Sequence, residues 1–277
     1  MRWLHFILSH SIFISFCAVA LCYQTYELLR IPADNVVYVL VFSSTLCSYN
    51  AYWLLSKLSF NSKLSFRGFI TRHLSNVLLF TASSISVLLC LYYIPEVIEL
   101  LLIGGLLTVL YTAPLWPGRW VRPAKNLGFI KTFLLALTWT YVTIAIPAQL
   151  KVSEVDQTFA LLFAARLLFM LMLCAIFDSR DSEIDKVRGL KSLATDVSSK
   201  TLHAIMLGSF ILYLIAGTAL RSQLHSPSQT AAFVITGAVV LLVYMLSLKK
   251  QGYIFYYFIV DGLMLFSALA TFVAAIV

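Results

Sequence analysis

The sequence predicts an all-α, polytopic membrane protein with nine transmembrane helices around a central cavity. Of its 277 residues, 61% are hydrophobic and only 12% are charged, which is far more apolar than a soluble domain of this length needs to be. The apolar residues form long continuous runs between short charged loops, and a helix needs about 20 such residues to cross the hydrocarbon core. Because the runs lack the alternation of a membrane barrel, helices are the spanning structure that fits them.

Nine apolar runs are long enough to cross the membrane, and we assign them to one transmembrane domain that covers residues 1–277. Prolines fall near the ends of runs, where a missing N–H group costs little. The first run directly follows Met1-Arg2, and a signal peptide that ends near Ala18-Val-Ala20 is the alternative for it. The predicted spans are 4–24, 36–56, 73–94, 97–115, 132–149, 157–177, 201–220, 230–247 and 253–277.

The basic residues determine the predicted orientation, because cytoplasmic loops carry an excess of lysine and arginine. Most of the 20 Lys and Arg residues fall on the N-terminus and on the loops between spans 2 and 3, 4 and 5, 6 and 7, and 8 and 9. We therefore expect a cytoplasmic N-terminus, a C-terminus on the outside and a location in a bacterial inner membrane. The basic face would contact anionic membrane lipids, and no nucleic acid is expected as a partner.

The loop between spans 6 and 7 is the exception on this basic face, because it holds five acidic residues while the other predicted cytoplasmic loops hold none. If span 6 continues as a helix past Phe177, then Asp178, Asp181 and Asp185 fall within about 60° of one another. Three like charges on one face cost stability. Mg²⁺ takes one or two carboxylates plus water and phosphate oxygens, so the spacing indicates a magnesium-bridged diphosphate. The alternative is a solvated helix extension in which the carboxylates pair with Arg180, Lys186 and Arg188.

Two stretches of the sequence resemble motifs of the UbiA superfamily of intramembrane prenyltransferases. The first is FDSRDSEIDKVRGLKSLAT, residues 177–195, which is similar to the family's second aspartate-rich motif in its D-x-x-D-x-x-x-D core, its glycine and its Ser-Leu-Ala tail. The second is LYTAPLWPGRWVRPAKNLGFIK, residues 110–131, which resembles the family's Tyr-x-x-Pro and basic segment between spans 4 and 5. Nine helices with the aspartate motif after span 6 is also the family's layout.

This resemblance implies that an isoprenyl group is transferred from a prenyl diphosphate to an unidentified acceptor within the membrane, with Mg²⁺ as the cofactor. Magnesium would stabilise the leaving diphosphate while the C–O bond ionises. Matched residue by residue, the motifs assign metal binding to Asp178, Asp181 and Asp185, catalysis to Asp181, Asp185 and Tyr111, and diphosphate binding to Arg119 and Lys125.

The sequence departs from the family at the first motif, which is N-x-x-x-D-x-x-x-D at the end of span 2. Asn50 matches, but Leu54 and Leu58 stand at the two aspartate positions. One hypothesis is that basic residues replace the missing cation, since an arginine or lysine can stabilise a diphosphate without metal. The basic residues around this position are Lys57, Lys63, Arg67 and Arg72, and we expect Arg67, Arg72 and the matching Asn50 to bind the diphosphate. The alternative is a catalytically degenerate UbiA-like protein that binds an isoprenoid, another lipid or a partner without turnover. A transporter or channel is a third alternative, but the spans offer no obvious polar path.

Two charged residues, Arg166 and Asp261, lie inside predicted spans. Counted along spans 6 and 9 at 1.5 Å per residue, their depths agree within about 5 Å. An unpaired charge at this depth would cost at least about 2.5–3.5 kcal/mol. We therefore predict that both side chains face the bundle interior and either form an ion pair or share one polar cluster.

Overall fold

A computed structural model describes residues 2–60, 66–112, 128–149, 156–188, 192–220 and 227–276. Within these ranges the chain forms helices joined by short turns, and no strand occurs there. The prediction of an all-α fold is confirmed. The helices are α1 (Arg2–Ser9), α2 (Ile12–Leu29), α3 (Asn35–Phe60), α4 (Phe66–Arg72), α5 (Leu74–Tyr93), a 3₁₀ turn (Pro95–Val97), α6 (Ile98–Thr112), α7 (Gly128–Thr140), a π segment (Tyr141–Ala145), α8 (Ile146–Gln149), α9 (Gln157–Arg188), α10 (Leu193–Asp196), α11 (Ser199–Ala219), α12 (Pro227–Ser247), a second π segment (Phe255–Val260) and α13 (Asp261–Ile276).

Eight helices in the described part of the chain are long and apolar enough to cross a membrane, so the protein is an integral, multi-pass membrane protein. They cover the predicted spans 1 and 3 to 9. Helix α3 covers the predicted span 2 and has 26 residues, which is about 39 Å at 1.5 Å per residue, but it is not among the eight. It carries polar side chains at most positions from 43 to 50. The predicted count of nine is therefore not confirmed.

The spanning helices pack in a closed ring. Helix α2 packs on α3, and α3 packs on α5. The 3₁₀ turn connects α5 to α6 along the chain. From there α6 packs on α7, α7 on α9, α9 on α11, α11 on α12 and α12 on α13. The ring closes where α13 packs against α2. Large aliphatic side chains remain exposed, including Leu88, Leu106 and Ile215, as expected of a surface that contacts lipid.

Helix α9 is the longest helix of the ring, with 32 residues. It contacts α7, α10, α11 and α12, and it continues past Phe177 to Arg188. The prediction that the helix of span 6 extends into the aspartate-rich loop is therefore confirmed. This extension carries the aspartates out of the bundle core on a rigid helix.

A buried arginine joins several helices of the ring. Arg166 on α9 is 4% exposed, and its guanidinium donates hydrogen bonds to the Leu21 carbonyl oxygen at 3.3 Å and to Gln24 Oε1 at 2.8 Å, both on α2. A third acceptor is Thr143 Oγ1, at 3.0 Å, in the first π segment. Gln24 in turn donates to two hydroxyl groups on α13. We call these residues the Arg166 cluster: Leu21, Gln24, Thr143, Arg166, Ser267 and Thr271.

The structure does not contain the predicted ion pair between Arg166 and Asp261. Asp261 is also buried, at 5% exposure, but no hydrogen bond or ion pair joins it to Arg166 or to the rest of the Arg166 cluster within the described residues. The reason is that neutral oxygens on α2 and on the π segment satisfy the guanidinium. Span depth alone cannot reveal such acceptors.

We predict that Arg166 couples energetically to Gln24 and not to Asp261. Arg166→Leu should lower the free energy of unfolding by about 2 kcal/mol or more, because several buried acceptors lose their donor. A double-mutant cycle with Gln24→Leu should show an interaction energy of about 0.5–3 kcal/mol, whereas Arg166→Leu and Asp261→Leu should be additive within about 0.5 kcal/mol. Denaturant titrations in detergent micelles give these energies, and an equal coupling of Arg166 to Asp261 would contradict the assignment.

Candidate functional site

An apolar cavity of about 430 Å³ lies between α3, α5, α6 and α7. Its walls include Tyr49 and Tyr52 on α3, Gly105 and Tyr111 on α6, and Trp139 on α7. The side-chain polar atoms of the described residues that line it belong to hydroxyl, thiol and indole groups, and no charged side chain is among them. Its size is that of a small-molecule pocket, and its lining suits a hydrocarbon chain rather than an ionic group.

One end of the cavity lies at the aspartate end of the bundle, which we define as the end that carries residues 178–196. There the rings of Tyr52 and Tyr111 stack with their centroids 5.9 Å apart. Lys131 Nζ lies 5.9 Å from the centroid of the Tyr111 ring, and the next residue, Thr132, donates a hydrogen bond to the Asp178 carboxylate. Tyr111, to which the motif resemblance assigns a catalytic role, thus lies where the apolar cavity meets charged groups.

Asp178 ties α9 to the elements beside it. Its Oδ2 atom accepts a hydrogen bond from the Thr132 hydroxyl on α7 and another, of 3.1 Å, from the Leu193 backbone N–H at the start of α10. A metal ion at this oxygen would leave both donors without their acceptor, which is costly for partly buried groups. The geometry therefore gives Asp178 a structural role, and it does not support the predicted role as a metal ligand.

A second tie joins the start of α7 to the turn before α11. The Gly128 backbone N–H donates to Asp196 Oδ2 at 3.1 Å, and Thr195 Oγ1 accepts from the Ser192 N–H at 2.7 Å. A Cβ atom on Gly128 would lie 2.5 Å from Asp196 Oδ2 and 2.6 Å from the Ser192 backbone nitrogen. Only glycine fits this close approach, so the Ser-Leu-Ala tail of the aspartate-rich motif is fixed against α7.

Asp181 is held by the residue that precedes it. Arg180 Nε donates to Asp181 Oδ1 at 2.7 Å, and an Arg180 terminal nitrogen donates to Asp181 Oδ2 at 2.7 Å. The guanidinium carbon also lies 4.9–5.1 Å from the centroids of three aromatic rings. We call these rings the aromatic cage: Phe177, Tyr256 and Tyr257.

Among the described acids, Asp181 is the one best placed to bind a metal ion. Its side chain is 38% exposed, and Asp185 follows about one turn later on the same helix, although its side chain lies outside the described residues. Within the described part of the chain no three acidic, histidine or cysteine side chains come together as a complete metal site. Because Mg²⁺ needs only one or two carboxylates when phosphate supplies further oxygens, the Asp181 carboxylate fits an ion shared with a phosphate, provided that it exchanges Arg180 for the metal.

The Asn50 side chain is hydrogen-bonded within the helix bundle. It is 1% exposed, its Nδ2 donates to the carbonyl oxygens of His10 at 3.3 Å and Leu46 at 2.9 Å, and its Oδ1 accepts from Asn76 Nδ2 at 3.0 Å. Interhelical hydrogen bonds of this kind are a common use of Asn in membrane helices. The predicted contact of Asn50 with a diphosphate therefore has no support in this geometry.

The predicted basic ligands are only partly described. Arg72 is exposed at the end of α4. Burial, and then the charges of Arg72 and Lys57, lower the pKa of His73, so the two cations act on the same imidazole and form a positive corner beside α3. The remaining predicted diphosphate ligands have side chains outside the described residues: Arg67, Arg119 and Lys125.

Two residues of this site have no role in the sequence-based prediction: Gly128 and Thr132. Arg180 belongs to the alternative in which the carboxylates of the helix extension pair with basic residues, and its pair with Asp181 is a contact of that kind. Gly128 and Thr132 offer no signal in the sequence, because their roles depend on the fold bringing residues 192–196 against α7.

No family model matches the chain, and no curated protein matches it in sequence. Solved structures do match over nearly its whole length. One is the apo structure of a UbiA homologue from Aeropyrum pernix K1, with 14% identity, 95% of this chain and 98% of that chain covered, and a TM-score of 0.65. Another is digeranylgeranylglyceryl phosphate synthase in membranes, with 15% identity, 97% and 95% covered, and a TM-score of 0.62. The chain therefore has the UbiA-like fold, as the resemblance of its motifs implies.

We predict that Gly128→Ala destabilises the protein by about 2 kcal/mol or more, because the added methyl group would overlap the Ser192 backbone and the Asp196 carboxylate, which are held in place by hydrogen bonds. Gly208→Ala is the matched control, since a Cβ atom there meets nothing within 4 Å, and it should be neutral or slightly stabilising because alanine favours a helix. Thermal unfolding of both variants in detergent is the measurement. Equal midpoints would show that the tie between α7 and residues 192–196 is not tight.

Proposed function

We propose that this protein is a member of the UbiA superfamily that transfers an isoprenyl group from a prenyl diphosphate to an acceptor within the membrane. The observation that carries this proposal is the position of the apolar cavity, which ends at Tyr111 beside the aspartate-rich segment. An amphiphile with a hydrocarbon tail and an anionic head matches this division between apolar lining and charged end.

In the proposed complex, the isoprenoid tail occupies the cavity and the diphosphate lies at the aspartate end. Lys131 and the positive corner of Arg72 and Lys57 supply charge that attracts the head group. Arg67, Arg119 and Lys125 remain proposed ligands from the motif comparison. We further propose that this end faces the cytoplasm, because the excess of lysine and arginine lies in the predicted loops on this side of the spans, and that the basic face contacts anionic lipids. A bacterial inner membrane remains the proposed location.

The reaction breaks the bond between C1 of the isoprenyl chain and the diphosphate oxygen, and the electron pair leaves with the diphosphate. A nucleophilic atom of the acceptor then bonds to C1 and gives up its proton. Asp181 and Asp185 would hold Mg²⁺, which would supply positive charge to the leaving diphosphate. The Tyr111 ring offers its electron-rich face to the cation that develops at C1, and the dry cavity keeps water from that cation.

A second candidate function is favoured by specific observations. The positions of the two aspartates of the first motif hold Leu54 and Leu58. The Asn50 amide is already hydrogen-bonded to Leu46 on its own helix and to Asn76 on α5. A protein with these features would bind an isoprenoid or another lipid in the same cavity without turning it over. The two candidates share the cavity and differ in chemistry.

We predict that purified protein converts a radiolabelled prenyl diphosphate in the presence of Mg²⁺, and that Asp181→Asn lowers the rate by about 100-fold or more because a group that stabilises the transition state is lost. Asp156→Asn is the matched control. Asp156 Oδ1 accepts the Phe159 N–H at the opposite end of α9, and an asparagine oxygen keeps that contact.

The same assay separates the two candidates. Wild type that binds the prenyl diphosphate without converting it would support the lipid-binding function and contradict the transferase. Equal affinity for the prenyl diphosphate in wild type and Asp181→Asn would reject the aspartate end as the head-group site under both functions.

We predict that Gly105→Phe blocks binding of a long prenyl diphosphate while leaving the fold intact. Gly105 lines the cavity, and a Cβ atom on it meets nothing within 4 Å, so the new ring would fill space that the isoprenoid tail needs. Gly208→Phe is the matched control, because the position is equally open but does not line the cavity. Equilibrium binding should show a loss of tenfold or more, an estimate of about 1.4 kcal/mol. Unchanged affinity would place the tail elsewhere.

A further inference from the structure

Arg180 closes off the aspartate that is best placed to bind metal. Its guanidinium fork spans both carboxylate oxygens of Asp181, with two hydrogen bonds of 2.7 Å. A bidentate arginine–carboxylate pair is among the stronger polar contacts in proteins. While this pair persists, a metal ion cannot approach the Asp181 oxygens without displacing a positive charge.

The three rings of the aromatic cage also contact the same guanidinium group. The distances from the guanidinium carbon to the ring centroids are 5.0 Å for Phe177, 5.1 Å for Tyr256 and 4.9 Å for Tyr257, all within the range of cation–π attraction. Tyr256 and Tyr257 are successive residues of the second π segment, and both rings contact the Arg180 guanidinium. Such segments often occur at functional sites. The cage keeps Arg180 at the aspartate end even when its carboxylate partner changes.

We infer that Arg180 is a diphosphate-binding residue, and that its pair with Asp181 keeps the metal site closed until a diphosphate arrives. The identity of the ligand rests on the proposed function. A guanidinium fork matches two phosphate oxygens as well as it matches a carboxylate. The diphosphate takes the place of Asp181 on Arg180, and Asp181 turns to Mg²⁺. Each charge has a partner before and after this exchange.

The exchange also gives this chain a source of positive charge for the diphosphate head group. With Leu54 and Leu58 at the positions of the first motif, the chain lacks those carboxylates for a second magnesium ion. Arg180 brings a permanent positive charge to the diphosphate without any metal. It is thus a positioning residue for the metal site and a direct ligand of the leaving group.

The first test measures binding of Mn²⁺ alone, as a stand-in for Mg²⁺, by electron paramagnetic resonance without any diphosphate. Arg180→Gln should bind Mn²⁺ about tenfold more tightly than wild type, because Asp181 no longer has to release a charge-assisted partner. Lys249→Gln is the control for net charge, since Lys249 is an exposed cation in the turn that follows α12. It should leave Mn²⁺ affinity at the wild-type value.

The second test measures binding of farnesyl diphosphate with EDTA present. Arg180→Gln should weaken this binding by about tenfold or more, and Arg180→Lys should recover part of the loss, because it keeps the charge without the fork. The opposite signs of the two effects are specific to the exchange, since a merely structural role of Arg180 would weaken both ligands together.

The outcomes separate this inference from the proposed function. If Arg180→Gln binds Mn²⁺ no more tightly than Lys249→Gln does, the closed-site inference is wrong, whatever the protein does with diphosphates. If wild type binds no farnesyl diphosphate, the proposed function fails while the Mn²⁺ test still stands.

Should Arg180→Gln fail to fold, two variants of the cage give the same information. Tyr257→Leu removes a ring that holds the guanidinium and should tighten Mn²⁺ binding in the same direction by a smaller factor, whereas Tyr257→Phe keeps the ring and should match wild type. Identical Mn²⁺ affinity in both would also overturn the inference.

Discussion

Each charge inside this bundle must be matched by oxygen or nitrogen atoms of the protein itself, because the hydrocarbon core offers no water to do so. Arg166 meets this requirement with a helix carbonyl, an amide and a hydroxyl group. The Asn50 amide meets it with two carbonyl groups and a second asparagine. These polar groups join α2, α9, α13 and the first π segment around Arg166, and they join α3 to α5 through the two asparagines.

The same constraint separates an apolar cavity from a charged end. Described residues that line the cavity carry hydroxyl groups and no charge, while Asp178, Asp181 and Asp196 lie on the extension of α9 and on the turn behind it. Two of these carboxylates hold elements together through backbone N–H groups. Asp181 instead pairs with the side chain of Arg180, and our proposals for head-group and metal binding therefore concern these two residues.

The sequence predicts the all-α fold and the extension of α9 correctly because apolar runs and aspartate spacing are local properties. It also directs attention to Tyr111, which lies at the junction of cavity and charge. It fails for the pair of Arg166 and Asp261, because equal depth says nothing about which neutral acceptors lie nearby. It also fails to show that Asp178 is bound by Thr132 and Leu193, since those contacts join segments that are distant in the chain. Long-range packing, rather than composition, decides which carboxylate remains able to bind a ligand.

The most direct test of the central claim is to locate the isoprenoid tail. A prenyl diphosphate with a diazirine at the far end of its chain would be cross-linked to the protein in membranes, and the modified peptides would be identified by mass spectrometry. The account predicts cross-links within residues 44–52 and 101–109, which are lost when unlabelled prenyl diphosphate is added in excess. Cross-links confined to exposed side chains of α11 and α12, such as Ile211 and Ile235, with no such competition, would contradict it.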